Sequence, residues 1–168
     1  MPEVRTPTSE GRPNGCLARG SDTIVSAEGN RVQAHDGIDE RGIVTKASSH
    51  PSVTETLERL REEVRGRGLE EFALIDHGGA AESVGLEMQE AKLLVFGSPR
   101  AGTPLMVASP LLALDLPLKV LVWRGRDGGV LVSYNATCYL ARRHDIPEDL
   151  VGNIAGIAPL VRGALEKD

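Results

Sequence analysis

Aromatic residues are scarce in this chain. One Trp, two Tyr and two Phe make up 3% of its 168 residues. Proteins that hold single-stranded nucleic acid stack successive bases on aromatic side chains, so this sequence has little material for such a surface. Acidic residues outnumber basic ones and give a formal net charge of −5, which argues against a general nucleic-acid or membrane-surface binder. We therefore expect neither nucleic acid nor a membrane among its partners.

Long apolar runs and cysteines are equally rare. No run approaches the roughly 20 apolar residues that span a bilayer, and the first residues lack the basic and apolar segments of a secretory signal. Cys16 and Cys138 are too far apart for a metal-knuckle spacing. In a cytoplasmic protein we expect no disulfide, and Cys138 is interpreted as a buried, inert thiol. The sequence thus predicts a cytoplasmic protein.

The four histidines share no local spacing, so the sequence predicts no metal site. A metal or haem site would have to be assembled entirely by the fold, from residues distant in sequence. These histidines are His35, His50, His77 and His144.

The first 41 residues differ in composition from the rest. They are rich in Gly, with scattered charges and few large apolar side chains, a composition typical of a flexible extension. From residue 42 onward apolar residues recur with helix and strand periodicity, over a length sufficient for one core. We predict an N-terminal extension over residues 1–41 and a single domain over residues 42–168.

A strand, a helix and a second strand open the predicted domain. Residues 42–47, GIVTKA, alternate as in a strand, and residues 71–76 form a second run of this kind. Between them, Ser52 and Glu55 have the spacing of a capping box, followed by an apolar stripe from Val53 to Val64. Two strands joined by a helix are expected to lie parallel, with a right-handed crossover.

The densest apolar segment covers residues 92–123. It begins with a buried strand, continues through a Gly- and Pro-rich loop, and ends in another strand. Thr103 is predicted to cap a short helix that starts at Pro104 and ends near Ser109. This arrangement would leave a free helix N-terminus close to Arg100.

The C-terminal part adds a hairpin and helices. Residues 118–123 and 130–134 are β-rich runs separated by RGRDGG. A helix over residues 137–144 and a final helical segment follow, with a break predicted near Ala155 because of Pro159. Together these patterns predict a compact α/β domain: a β-α-β unit, further strands including a hairpin, and helices packed on a mixed sheet.

Four segments give the chain a family resemblance. FALIDHGGAAESVGLEM, KLLVFGSPRAGTPLM, SPLLALDLPLKVLVW and VLVSYNATCYLARRH, in this order and spacing, resemble the domain of unknown function 302 family. The resemblance covers about residues 42–165 and implies a compact α/β domain found mainly in prokaryotes, with no established biochemical function. It also implies recurring positions, which here are Asp76, His77, residues 102–106 and residues 115–119.

One candidate ligand site combines two strand ends. Asp76 and His77 follow the second strand, and Arg100, Gly102 and Thr103 follow the third. If those strands were parallel neighbours, the helix N-terminus, the cation and the histidine would share one edge and could hold a phosphate or carboxylate. A histidine held by local hydrogen bonds and a tight corner over the sheet explain the same residues without a ligand.

Three further residues are candidates for the same ligand site. Asp115 and Lys119 are charges inside an apolar run and are expected to be paired, with each other or with the Arg100 loop. Tyr134 could donate a phenolic hydrogen bond, although a Tyr at a strand end more often packs against the core.

Three functions are compatible with these residues. The leading hypothesis is a homodimeric small-molecule-binding domain that takes an anionic ligand; the cofactor, if there is one, is unknown. The second is an enzyme in which Asp76 orients His77 as acid or base, although no activated nucleophile is visible. The third is a protein–protein interaction module without a ligand site.

Overall fold

Five strands and six α-helices form within residues 37–166, the part of the chain that the computed structural model describes. The strands are β1 (Ile43–Ala47), β2 (Glu70–Asp76), β3 (Ala91–Gly97), β4 (Leu118–Arg124) and β5 (Val130–Asn135). The helices are α1 (Val53–Gly66), α2 (His77–Ser83), α3 (Pro99–Ala108), α4 (Thr137–Arg143), α5 (Glu148–Val151) and α6 (Ile157–Leu165). Short 3-10 turns cover Pro110–Leu114 and Gly152–Ile154. Most of the predicted extension, residues 1–36, lies outside the described residues.

The first helix forms as its sequence predicts. Ser52 is the N-cap of α1, and its hydroxyl accepts a hydrogen bond from the backbone amide of Glu55 at 3.1 Å. The apolar stripe is buried against the sheet, with Val53, Leu57, Leu60 and Val64 at most 3% exposed. The charged residues of the opposite face pair with one another, as Arg61 does with Glu58 at 3.0 Å. The amphipathic pattern therefore decides which side of α1 meets the core.

The five strands form one sheet in the order β1-β5-β4-β3-β2, and every neighbouring pair is antiparallel. The expected α/β class, with helices packed on a sheet, is confirmed. In place of a mixed sheet with a parallel β1–β2 pair, β1 and β2 run in the same direction at opposite edges. The prediction of a parallel pair was wrong because the strands that follow in the chain insert between them.

One face of the sheet carries the main core. Its inward residues from β3, β4 and β5 are almost fully buried under α1 and α6, as Phe96, Val120 and Val132 at 0% exposure show. Burial of this kind stabilises the fold by roughly 25 cal/mol per Å² of apolar surface. A second, smaller cluster lies beyond the end of the sheet and joins α3, α4 and the segment around α5; it consists of Leu105, Leu112, Leu116, Leu140, Ile146 and Ile154.

Helix α3 begins one turn earlier than the sequence predicts. Its N-cap is Ser98 and Pro99 occupies the first turn, so Thr103 and Pro104 lie inside the helix. The prediction of Thr103 as N-cap was wrong because Pro99 satisfies the same preference for proline in the first turn. The end of the helix near Ser109 is confirmed. The predicted break near Ala155 is also observed, since the chain passes through a 3-10 turn there before α6.

Candidate functional site

The two halves of the predicted ligand site lie at opposite ends of the sheet. Antiparallel pairing of β2 with β3 sets Asp76 opposite Lys92 and Glu70 opposite Gly97. The Arg100 loop follows Gly97, whereas His77 follows Asp76, so the length of one strand separates them. The shared edge required a parallel β2–β3 pair, and that pair does not form.

Asp76 has a structural role in capping a helix. Its Oδ1 atom accepts the backbone amide of Gly79 at 2.8 Å, and its Oδ2 atom lies 3.4 Å from Lys92 Nζ. The hydrogen bond from Gly79, followed by the contact with Lys92, lowers the pKa of Asp76 below its ordinary value. His77 is exposed and bonds to no other side chain of residues 37–166. Asp76 therefore does not orient His77, and the local structural explanation fits this pair.

A cleft of about 210 Å³ opens beside the first turn of α3. Its walls come from the end of β3, from α3, from the segment before β4 and from the turn that precedes α6. Most of the lining is apolar, and the contributing residues are Phe72, Gly97, Ser98, Pro99, Ala101, Gly102, Thr103, Met106, Leu116, Pro117, Leu118, Asn153 and Ile154. Of the predicted site residues, Gly102 and Thr103 line this cleft.

The polar groups of the cleft cluster at the helix N-terminus. The hydroxyl of the N-cap residue Ser98 makes no capping hydrogen bond, and Arg100 is an exposed cation on the same turn. Asn153 donates a side-chain hydrogen bond to the carbonyl of Ala101 at 3.1 Å, which ties the opposite wall to α3. An apolar hollow with a few polar groups at one end is the usual form of a small-molecule site.

Glycines leave the space that this cleft occupies. A Cβ atom at Gly102 would lie 3.7 Å from Met106 Cε and 3.8 Å from Leu116 Cδ1. At Gly97 it would lie 3.6 Å from both Phe72 Cε2 and Pro117 Cβ. These are ordinary van der Waals distances, so alanine fits at either position, whereas a larger side chain at Gly102 would project into the cleft.

Asp115 is the centre of a charged cluster next to the cleft. Its Oδ2 atom lies 2.6 Å from His144 Nε2 and 3.4 Å from Arg143 Nε. The side chains of His144 and Asp115 are only 6% and 15% exposed. Asp115 is thus paired as expected, but with the end of α4 rather than with the Arg100 loop. The residue that follows it, Leu116, lines the cleft.

Lys119 bonds to the backbone of the same segment. Its Nζ atom donates to the carbonyl oxygen of Asp115 at 2.9 Å, so the predicted Asp115–Lys119 pairing exists through the main chain. Partial burial lowers the pKa of Lys119 below its ordinary value, and the charge of Asp115 offsets part of that effect. The lysine is therefore held near the cleft rather than extended into solvent.

Tyr134 belongs to the core. It is 6% exposed and packs with the cluster beneath α1 and α6. Burial raises the pKa of its phenol above the ordinary value, and the nearby charge of Arg162 opposes the shift. The structure therefore places Tyr134 away from the cleft, and packing explains it.

Three residues at or near the cleft were not predicted as site residues: Phe72, Asn153 and His144. Asn153 and Phe72 reach the cleft only through the fold, and no local pattern marks them. His144 directly follows two arginines in the last turn of α4, but no local pattern indicates that it would meet Asp115. Cys138 was expected to be an inert thiol; it is disulfide-bonded, and the chain's other cysteine lies outside the described residues.

The described part of the chain has neither a cluster of potential metal ligands nor a helix suited to a membrane. No group of three or more His, Cys, Asp or Glu side chains in this range is placed to hold a metal ion. None of the helices formed within the same range has the length and apolar character needed to cross a bilayer.

Comparison with known proteins identifies relatives. Residues 44–162 match the family described as "Domain of unknown function DUF302". A protein of Brucella suis named "Fluoride-specific ion channel FluC 1" is 38% identical over 107 residues, which cover 64% of this chain and 42% of that protein. "Fluoride-specific ion channel FluC 2" of Brucella melitensis shows the same identity, with 39% of its length covered. The chain thus spans about two fifths of these relatives.

A solved structure shares the fold. The crystal structure of a conserved DUF302 protein from Bacillus stearothermophilus superimposes with a TM-score of 0.62 and 19% sequence identity. The superposition covers 74% of this chain and 95% of the other.

Proposed function

The chain belongs to the DUF302 family, and we propose that it is a homodimeric, cytoplasmic domain that binds a small anionic molecule with an apolar body in the cleft beside α3. The observation that supports the proposal is the cleft itself. Its walls are apolar, while its polar groups gather where the amides of the first turn of α3 concentrate partial positive charge.

The two ends of the cleft suit different parts of one ligand. A carboxylate or phosphate would lie against the Ser98 hydroxyl and the first turn of α3, which also carries the exposed cation Arg100. An alkyl or ring portion would pack between Phe72, Met106 and Pro117. The volume of about 210 Å³ is below the usual range for drug-sized ligands, which favours a small metabolite.

The test is the binding of hexanoate to the ¹⁵N-labelled protein, monitored through the NMR signals of its backbone amides. We expect shifts at residues 97–103 and a dissociation constant weakened about tenfold in Arg100→Ala, equal to roughly 1.4 kcal/mol. Gly102→Leu should abolish binding because its side chain fills the cleft. Arg126→Ala, which changes an exposed arginine in the β4–β5 loop, is the matched control and should bind like the unaltered protein.

Sodium fluoride is the second probe, because relatives of this chain are named as fluoride channels. The proposal predicts no fluoride-induced shifts at the cleft beyond those caused by sodium chloride. Binding of fluoride without binding of hexanoate would contradict a ligand with an apolar body. Hexanoate shifts that persist unchanged in Gly102→Leu would place the site elsewhere.

An enzyme remains the second candidate, and the Asp115–His144 pair favours it. A buried carboxylate that bonds one nitrogen of an imidazole is the arrangement that orients a histidine for proton transfer. His77 has no such partner among residues 37–166. A substrate screen in which turnover is lost in His144→Gln and kept in His77→Gln would support this candidate.

An interaction module is the third candidate. The sequence match covers only 39–42% of the Brucella proteins, so in them the matching region is joined to further sequence. A domain of this kind could act by contact with another part of a larger assembly. Absence of any shift with hexanoate, together with stable binding to a partner segment, would support this candidate over the ligand site.

A further inference from the structure

The sheet has a second face that no hydrophobic cluster of the described residues covers. Along β4, Val120 and Val122 point into the main core and are fully buried, whereas Leu121 and Trp123 point the other way and are partly exposed. Both clusters that join helices to the sheet contain strand residues of the first face only. The opposite side, here called the open face, is therefore the outer surface of this layer.

The open face is apolar and nearly free of charge. Register pairs place Leu93 beside Leu121 and Ala91 beside Trp123, and the edge strand β2 adds Ala73 and Ile75. The register also places two charged side chains, Glu70 of β2 and Lys119 of β4, at the end of this face near Gly97. Tryptophan enrichment and depletion of charge are the composition of the centre of a protein interface rather than of an ordinary surface.

The polar groups of the open face satisfy one another. Thr45 and Ser133 lie opposite each other on β1 and β5, with their hydroxyl oxygens 2.8 Å apart. The indole Nε1 of Trp123 donates to the Ser133 hydroxyl at 3.0 Å. This arrangement holds the indole N–H on Ser133 and leaves few hydrogen-bonding groups that would lose water on contact.

The size of the open face fits a second copy of the chain. Five strands about 4.8 Å apart, with about 3.3 Å per residue along strands of five to seven residues, give a flat footprint of roughly 500 Å². This footprint is of the same order as the roughly 800 Å² that each partner of a standard interface buries.

We infer that the open face is the surface through which two copies of this chain pack, sheet against sheet. The inference rests on the homodimer of the proposed function and specifies its interface. A two-fold axis would bring the same apolar patch of each copy together, which an uncharged patch permits without juxtaposing like charges. Glu70 and Lys119, which carry opposite charges, stay at the margin of the contact.

The experiment is sedimentation velocity on the full chain and its variants at several concentrations. The unaltered protein should sediment as a dimer of its 17.9 kDa chain. Leu121→Glu at the centre of the open face and Ala73→Glu on its edge strand should sediment as monomers, since each would bury a charge in the contact. Val107→Glu is the matched control: Val107 is 77% exposed on α3, outside the open face, and its variant should remain a dimer.

Circular dichroism of each variant shows whether it is folded. Because Ala73 is exposed, its replacement leaves the core of the monomer intact. If the unaltered chain sediments as a monomer, the homodimer is wrong, and the proposed interface is wrong with it. A dimer that persists in folded Ala73→Glu and Leu121→Glu overturns the open face as interface and leaves the homodimer standing. Hexanoate binding is measured separately, so neither result is confused with failure of the ligand site.

Discussion

At the scale of single residues, the cluster around Asp115 shows that a sequence can indicate that a charged side chain is paired without indicating which residue pairs with it. Its position inside an apolar run indicates that Asp115 is paired, because an isolated buried charge is expensive. The partner, His144, lies 29 positions away and reaches it only after α4 has packed. The imidazole of His144 therefore ties the end of α4 to the segment before β4.

Loss of either member of this pair should destabilise the protein. We expect Asp115→Leu and His144→Phe each to lower the free energy of unfolding by about 2 kcal/mol, because each leaves a hydrogen-bonding partner unsatisfied in a mostly buried setting. Urea unfolding of both single variants and the double variant measures the coupling between them. Glu87→Gln, at an exposed loop position, should change stability by less than about 0.5 kcal/mol. Strict additivity of the two changes would contradict a direct interaction.

At the scale of elements, the end of α6 is held by the loop between β1 and α1. His50 is 4% exposed; its Nε2 atom donates to the carbonyl of Ala164 at 3.1 Å, and its Nδ1 atom lies 3.3 Å from a carboxylate oxygen of Glu55. Ser49 donates to the neighbouring carbonyl of Leu165 at 2.6 Å. These bonds satisfy carbonyls of the last turn of α6, which have no partner within the helix.

Replacement of His50 should loosen α6 selectively. We expect His50→Phe to lower the free energy of unfolding by about 1–3 kcal/mol, because the Ala164 carbonyl loses its donor in a buried position. Hydrogen exchange should accelerate at the α6 amides more than at those of β4. His77→Phe changes an exposed histidine whose side chain bonds to none of residues 37–166, and it serves as the control. Equal stability of the two variants would show that His50 does not hold the helix.

At the scale of the whole molecule, the antiparallel sheet determines which residues can act together. It sends the Asp76–His77 segment and the first turn of α3 to opposite ends. Within residues 37–166 it also leaves one face that neither hydrophobic cluster covers, since α1 and α6 both pack on the other. The cleft and the open face are consequences of strand order rather than of any local segment.

The disulfide at Cys138 gives a whole-molecule test of the proposed cytoplasmic location. Thiols in the cytoplasm are kept reduced, so both cysteines of the chain should be alkylated when cells are lysed directly into iodoacetamide. Purification in air should then form the disulfide and protect both from the reagent. Intact mass spectrometry counts the alkylated sites. Protection already present in the lysate would contradict a cytoplasmic location.

The sequence by itself determined the local elements and the class of fold. The Ser52 cap and apolar stripe of α1, the buried strand before Gly97 and the break near Ala155 all follow from preferences that act within a few residues. For the same reason Gly102 and Thr103 could be recognised as part of an unusual loop, although the start of α3 at Ser98 could not be distinguished from a start at Thr103. Two prolines in one segment satisfy the same local rule.

The tertiary structure alone decided which elements became neighbours. Strand pairing depends on contacts between distant residues, and helical crossovers are compatible with several strand orders, so the position of β2 beside β3 rather than β1 was not encoded locally. The separation of His77 from Arg100, the meeting of Asp115 with His144 and the contribution of Asn153 to the cleft all follow from that pairing and from helix packing. Local propensities act within a few residues, whereas a site at the end of a sheet is assembled from residues that only the completed core brings together.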